Sequence, residues 1–147
     1  VFAGKKSAQI REILISESAW EEMTCLFAPS LGQLLSTNVR LTDRAYRFGG
    51  EEFIILQECQ SQQNYAAIIQ RMMTLIRSHP FIIPEGSISI TVTCGTTLVT
   101  EDESLQTLID RADKAMYFGK QQGRNQCRFW TENKMINIEK RAPWAVT

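Results

Sequence analysis

A change of period along the chain constrains its fold more than any other feature. From Gln62 to Ser78 the apolar residues Tyr65, Ile68, Ile69, Met72, Met73 and Ile76 recur at three- and four-residue steps, which lines one face of a helix. His79-Pro80 ends that run, because a residue before proline is pushed out of the helical region. Ile88, Ile90, Val92 and Cys94 then alternate with Ser89, Thr91 and Thr93, the two-residue period of a strand with one apolar face. Gly95 interrupts this strand, at a place where another backbone or a ligand can come close. After Glu103 the helical period returns: Leu105, Leu108, Ile109, Ala112, Met116 and Tyr117 form a stripe, Asp110, Arg111, Asp113 and Lys114 face outward, and Gly123 gives a stop signal.

Upstream, Ala45 to Phe48, Gly49-Gly50 and Glu51 to Leu56 read as strand, two-residue turn and strand, a glycine pair supplying the positive φ angles of a tight hairpin. Hairpin, helix, strand, helix predicts an α+β domain with an antiparallel sheet covered by helices. The first forty residues carry weaker signals: Glu12 to Ile15 reads as a short buried strand, and Leu26 to Val39 has helical content interrupted by Pro29 and Gly32, with a helix expected mainly over Ser30 to Thr37. Trp130 to Thr147 shows no clear period and reads as a surface extension. The organisation expected is therefore one domain over residues 1–130 and a C-terminal extension over 131–147.

With 147 residues, 44% of them apolar, the chain can bury a core of its own. Sixteen basic side chains balance sixteen acidic ones, so the basic footprint of a nucleic-acid polymer binder is missing and any anion site must be local. No apolar run approaches the roughly 18 residues of a membrane-spanning helix, and Val1 to Lys6 lacks a signal-peptide core; a cytoplasmic location is the expectation. Cys25, Cys59, Cys94 and Cys127 form no CxxC pair, and buried free thiols are expected over disulfides or zinc.

The chemistry concentrates at the hairpin tip, Arg47-Phe48-Gly49-Gly50-Glu51-Glu52-Phe53. Two glycines leave room for a nucleotide against the backbone, and two adjacent carboxylates suit Mg²⁺, which takes hard oxygen ligands and bridges to phosphates. Taken alone, an exposed tip that is glycine-rich for geometry and acidic for solubility accounts for the same residues.

Five motifs in order change that balance. Arg40-Leu41-Thr42-Asp43, Arg47 to Phe53, Ile90 to Gly95, Ala112-Asp113-Lys114-Ala115-Met116-Tyr117 and Lys120-Gln121-Gln122-Gly123-Arg124-Asn125 together make the chain resemble the GGDEF family, the diguanylate cyclases that condense two GTP into cyclic di-GMP. The resemblance covers about Asn38 to Phe129. It implies a fold like the palm of nucleotidyl cyclases and polymerases, a central antiparallel sheet flanked by helices. It also implies roles. Gly49 and Gly50 would line the GTP site, Glu51 would hold Mg²⁺ (or Mn²⁺) and help activate the 3′-hydroxyl, and Glu52 would support the metal. Lys120 and Arg124 would hold the GTP phosphates, although a helix-end lysine is also favoured by the helix dipole alone. Asn125 would cap or close the turn. Arg40 and Asp43 form an RxxD motif that in the family is the inhibitory cyclic di-GMP site; arginine reads guanine's O6/N7 edge with two hydrogen bonds, while a local Arg–Asp surface pair would be worth little.

The N-terminal part departs from the family pattern of an aspartate-rich strand. Ser16 and Ser18 stand where aspartates are expected and Glu21 where a lysine is. Glu17 would alternate to the wrong face to substitute. No Asn-Asp or Gly-His follows between Trp20 and Ser30, and the family's leading helix motif is missing. Degeneration, truncation and omitted segments of a longer chain are all compatible with this. The resemblance thus implies a cyclase that works as a homodimer, each domain holding one GTP. The alternative is a domain that binds cyclic di-GMP through Arg40 and Asp43 without making it, and a relic serving only dimerisation or partner contact is a third reading.

Overall fold

The structure is a computed structural model that describes residues 9–17, 24–38, 43–47, 52–59, 62–98, 102–131 and 134–139. Six strands form one sheet in the order β2-β3-β1-β6-β7-β8. These are β1 (Gln9–Glu17), β2 (Arg44–Arg47), β3 (Glu52–Cys59), β6 (Val92–Leu98), β7 (Cys127–Thr131) and β8 (Lys134–Asn137). β4 (Phe81–Ile83) and β5 (Gly86–Ile88) pair with each other in a separate ribbon. All ladders are antiparallel except β6–β7. Three helices, α1 (Thr24–Asn38), α2 (Gln62–Ser78) and α3 (Leu105–Gln121), complete the mixed fold, and the central sheet flanked by helices is the palm-like architecture expected.

The sheet separates two apolar layers. On one side Leu31, Leu35, Phe53, Ile55, Tyr65, Ile69, Met73, Val92, Cys94, Cys127 and Phe129 belong to the main core with α1 and α2. On the other, Ile54 packs with Ala112 and Met116 of α3. Adjacent residues of β3 thus serve opposite layers, as a period of two requires. At Gly95 the α3 backbone comes in so close that a Cβ would collide with the Ala112 carbonyl oxygen and Met116 backbone. Of the two partners the sequence allowed for this glycine, the structure supplies a backbone.

Several sequence expectations are corrected. The alternating run from Ile88 to Cys94 is not one strand: Ile88 pairs with Phe81 in the small ribbon, and the sheet strand begins at Val92. Nor has β6 one apolar and one exposed face. Thr93, Thr96 and Thr97 are as buried as Val92 and Cys94, because helices cover both sides and hydroxyls find internal partners; the Tyr65 hydroxyl bonds to that of Thr96. The strands of the hairpin pair antiparallel, with Arg47 opposite Phe53; its turn, Gly49-Gly50 included, lies outside the described residues.

β1 is longer than Glu12 to Ile15 and is a central strand, paired on both sides. α1 begins at Thr24 and runs through Pro29. A proline in a helix costs roughly 3 kcal/mol, whereas burying Leu31, Leu34 and Leu35 returns ~1.5–3 kcal/mol for each side chain. Gly32 then lets the helix close on Phe53, where a Cβ would come within 3.1 Å of the ring. After Phe129 the chain stays in the sheet: β8 pairs with β7, and Ile138 is buried in the main core.

Candidate functional site

One row across the sheet organises the site. Ser16 of β1 lies opposite Glu52 of β3 on one side and opposite Thr93 of β6 on the other. Two strand spacings separate Glu52 from Thr93, about 10 Å between Cα atoms. Glu52 shares its side of β3 with Ile54 and Leu56, which pack towards α3, and it is half-buried.

The C-terminal end of α3 arrives at the same row. Gly119 packs against Thr93, where a Cβ would stand 3.0 Å from the threonine methyl, and the Asn125 amide donates to Thr93 Oγ1 at 3.1 Å. The turn between α3 and β7 is unusual in its backbone: Gly123, Arg124 and Asn125 have φ of 110°, 63° and 51°. Glycine adopts such angles freely and asparagine tolerates them, but for arginine they are costly. Hydrogen bonds hold the turn on all sides. The Arg124 amide donates to the Gly119 carbonyl at 3.0 Å, and Gln126 Nε2 donates to the carbonyls of Gln122 and Arg124 at 3.1 and 3.0 Å. Lys120 is half-buried and Arg124 exposed. Among the described residues no hydrogen bond or ion pair engages either cationic head.

Glu52 thus lies on the α3 side of the sheet, in the row against which Gly119 and Asn125 pack, and Lys120 and Arg124 are the chain neighbours of those two residues. Such a set can bind a polyphosphate and, through carboxylate oxygens, a hard divalent cation. Among the described residues no group of three His, Cys, Asp or Glu side chains forms a metal cluster. Gly49, Gly50 and Glu51 lie outside the described residues, as does Arg40.

Asp43 is described, and it is 4% exposed just ahead of β2. Continuing the β2–β3 register one step places it opposite Gln57. Gln57 lines a cavity of about 310 Å³ with Leu35, Asn38, Ile68, Arg71 and Met72, on the α1–α2 side of the sheet and so across it from Glu52. Gln57 is 3% exposed, and among the described residues its Oε1 has no hydrogen-bond partner. Arg71, exposed at the cavity rim, makes no hydrogen bond or ion pair among the described residues. An orphaned buried acceptor beside a free guanidinium marks a place prepared for a polar ligand. Sequence reasoning missed both residues: Arg71 lies off the apolar stripe of α2, and Gln57 one residue past the strand expected to end at Leu56.

Cys94 and Cys127 lie opposite each other on β6 and β7 with their sulfurs 2.9 Å apart, both free and fully buried. For these two the expectation of buried thiols holds; Cys25 and Cys59 are outside the described side chains. Burial first, and the hydrogen bond shared with Cys94 second, push the Cys127 thiol well above its ordinary pKa, so it stays protonated and inert.

Comparison with known proteins adds the lineage. The family described as "Diguanylate cyclase, GGDEF domain" matches residues 26–126. Diguanylate cyclase DgcZ of Escherichia coli (strain K12) is 40% identical over 108 residues, which are 74% of this chain and 36% of that protein. Diguanylate cyclase A of Treponema denticola is 31% identical over 97 residues, covering 65% of this chain and 26% of that protein. The chain thus spans about a third or less of the curated relatives it matches. Among solved structures, the GGDEF domain of PA1120 (YfiN or TpbB) from Pseudomonas aeruginosa superposes with a TM-score of 0.77 at 22% identity, over 89% of this chain and 88% of that one. That likeness establishes the fold. No helix among the described residues is long and apolar enough to cross a membrane.

Proposed function

Since this chain belongs to the GGDEF domain family of cyclic di-GMP signalling, we propose that it is a diguanylate cyclase domain that condenses two GTP into cyclic di-GMP. The observation that carries this reading is the Glu52–Ser16–Thr93 row, against which Gly119 and Asn125, the chain neighbours of Lys120 and Arg124, pack. A domain that only bound the product on the opposite side of the sheet would have no use for an arginine held in a costly left-handed conformation at this turn.

In this reading each domain holds one GTP, with Gly49 and Gly50 against the nucleotide and Lys120 and Arg124 on its phosphates. Two domains face each other, so that each 3′-hydroxyl oxygen attacks the partner nucleotide's α-phosphorus. An O3′–P bond forms and the bond to the β-phosphate bridging oxygen breaks, releasing pyrophosphate. Glu51 helps to take the hydroxyl proton. The work of the protein is positioning and charge stabilisation, as phosphoryl-group chemistry demands.

Mg²⁺ or Mn²⁺ would be held by Glu51 and Glu52. The donor set fits, because Mg²⁺ is commonly bound by one or two carboxylates together with substrate phosphates. When bound, the ion supplies charge neutralisation at the transferring phosphate. Ser16, opposite Glu52, offers a neutral hydroxyl where a carboxylate would bind more strongly, which predicts a weak metal site. Incubating the chain with GTP and Mg²⁺ and separating the nucleotides tests the proposal.

One observation favours a second activity for the same domain. The cavity beside Asp43, with the orphaned Gln57 Oε1 and free Arg71, supports cyclic di-GMP binding through Arg40 and Asp43. In a turning-over domain this site would restrain the enzyme; without turnover it would make the domain a receptor.

A further inference from the structure

The turn carrying Arg124 is gripped from a distance. Arg77, in the last turn of α2, donates from Nε to Asn125 Oδ1 at 2.8 Å and from Nη2 to the Asn125 carbonyl at 3.0 Å. The other side of the same guanidinium is occupied by Glu139, with Nη1 and Nη2 donating to its two carboxylate oxygens at 2.6 and 2.8 Å. Glu139 is itself fixed: its amide donates to Asn137 Oδ1 at 3.1 Å, and the preceding Ile138 amide donates to the Cys127 carbonyl at 3.0 Å. The hydrogen bond to Glu139 is the largest of the influences that raise the Arg77 pKa above its ordinary value.

We infer that Arg77, braced by Glu139, is a positioning residue that holds the Gly123–Asn125 turn in its left-handed conformation and so aims Arg124 at the nucleotide phosphates. This rests on the reading of Arg124 as a phosphate ligand. Two observations carry it. The left-handed backbone of Arg124 and Asn125 persists only where its surroundings over-determine it, and Arg77 meets both the side chain and the carbonyl of Asn125. The brace also comes from beyond the segment that matches the family, since Glu139 follows residue 126 by more than a strand. The geometry is that of a fork shared between a carboxylate and an amide, which lysine cannot reproduce.

The test is a thermodynamic cycle read by calorimetry with the non-hydrolysable α,β-methylene analogue of GTP and Mg²⁺. Arg124→Ala should weaken binding by about tenfold, the scale of a lost charge-assisted contact. Arg77→Ala should weaken it by a similar factor, and the double variant should bind no worse than Arg124→Ala alone, because Arg77 acts through Arg124. Hydrogen exchange should speed up at the Arg124 and Asn125 amides while the middle of α3 stays protected. Arg77→Lys should fail to restore either readout. If Arg77→Ala does not fold, Glu139→Gln, which removes the charge and keeps the shape, serves in the same cycle. A wild-type chain that does not bind the analogue, or an Arg124→Ala chain that binds it undiminished, overturns the phosphate reading and this inference with it. Weakened binding by Arg124→Ala alongside wild-type binding and exchange in the Arg77 and Glu139 variants overturns the positioning role alone.

Discussion

Gly95 of β6 and Ala112 of α3 meet with no room between them for even a methyl group. This contact seats α3 on the sheet, where Gly119 near its end, and Asn125 in the turn after it, pack against Thr93 in the row of Glu52 and Ser16. Gly95→Ala should therefore destabilise the domain by roughly 3 kcal/mol or more, at or beyond the usual range for overpacking, because the obstruction is backbone and cannot rotate away. Thermal unfolding measures it, and a melting temperature within a degree of wild type would show that α3 is not seated as described.

Ser16 lies directly across β1–β3 from Glu52. Ser16→Asp should place a second charge next to Glu52 in the row and raise Mg²⁺-dependent cyclic di-GMP formation by about tenfold, since carboxylates are the ligands hard cations prefer. Glu52→Gln should lower it by at least as much while leaving the circular dichroism spectrum unchanged. If Ser16→Asp proves neutral under limiting Mg²⁺, the metal is not held on this row.

On the opposite side of the sheet, Arg71→Ala should weaken cyclic di-GMP binding about tenfold, the worth of one charge-assisted contact. Arg40→Ala should abolish binding, and neither change should lower the initial rate of product formation. Calorimetry decides this, and undiminished binding by both variants would detach the RxxD motif from the ligand.

The buried thiols predict a pH dependence. Burial raises the Cys127 pKa in the folded state, so above the ordinary thiol pKa the unfolded chain has lost a proton that the folded chain keeps. The stabilisation is complete below about pH 8.5 and falls as pH rises further, by about 1.4 kcal/mol per pH unit. Denaturant unfolding from pH 7 to 10 measures the slope for wild type against Cys127→Ala. An equal slope in both would refute the assignment. A thiol reagent should leave Cys94 and Cys127 unmodified in the folded protein and react with both once it is unfolded.

Local pattern made the fold legible where one residue's neighbours decide its environment. The stripes of α2 and α3 give the helices because their apolar faces rest on the sheet, and Gly123 marks the end of α3 through its positive φ. Pattern failed where distant contacts decide. Ile88 and Val92 continue one alternation, yet pair with different sheets. Thr93, Thr96 and Thr97 look solvent-facing until α3 and Tyr65 are seen to cover them. In the site, motif spacing could name Glu52, Lys120, Arg124 and Asp43 as candidates, but Arg77 and Glu139 stand 62 residues apart, and Arg71 and Gln57 share a cavity only after folding.

The central claim is turnover. Purified chain at high concentration, where two domains can meet, should convert α-³²P-labelled GTP into cyclic di-GMP in the presence of Mg²⁺, with product absent in Glu51→Ala and strongly reduced in Arg124→Ala. Unchanged GTP in the wild-type reaction, from a protein that is folded and binds cyclic di-GMP, would contradict the cyclase account and leave a receptor.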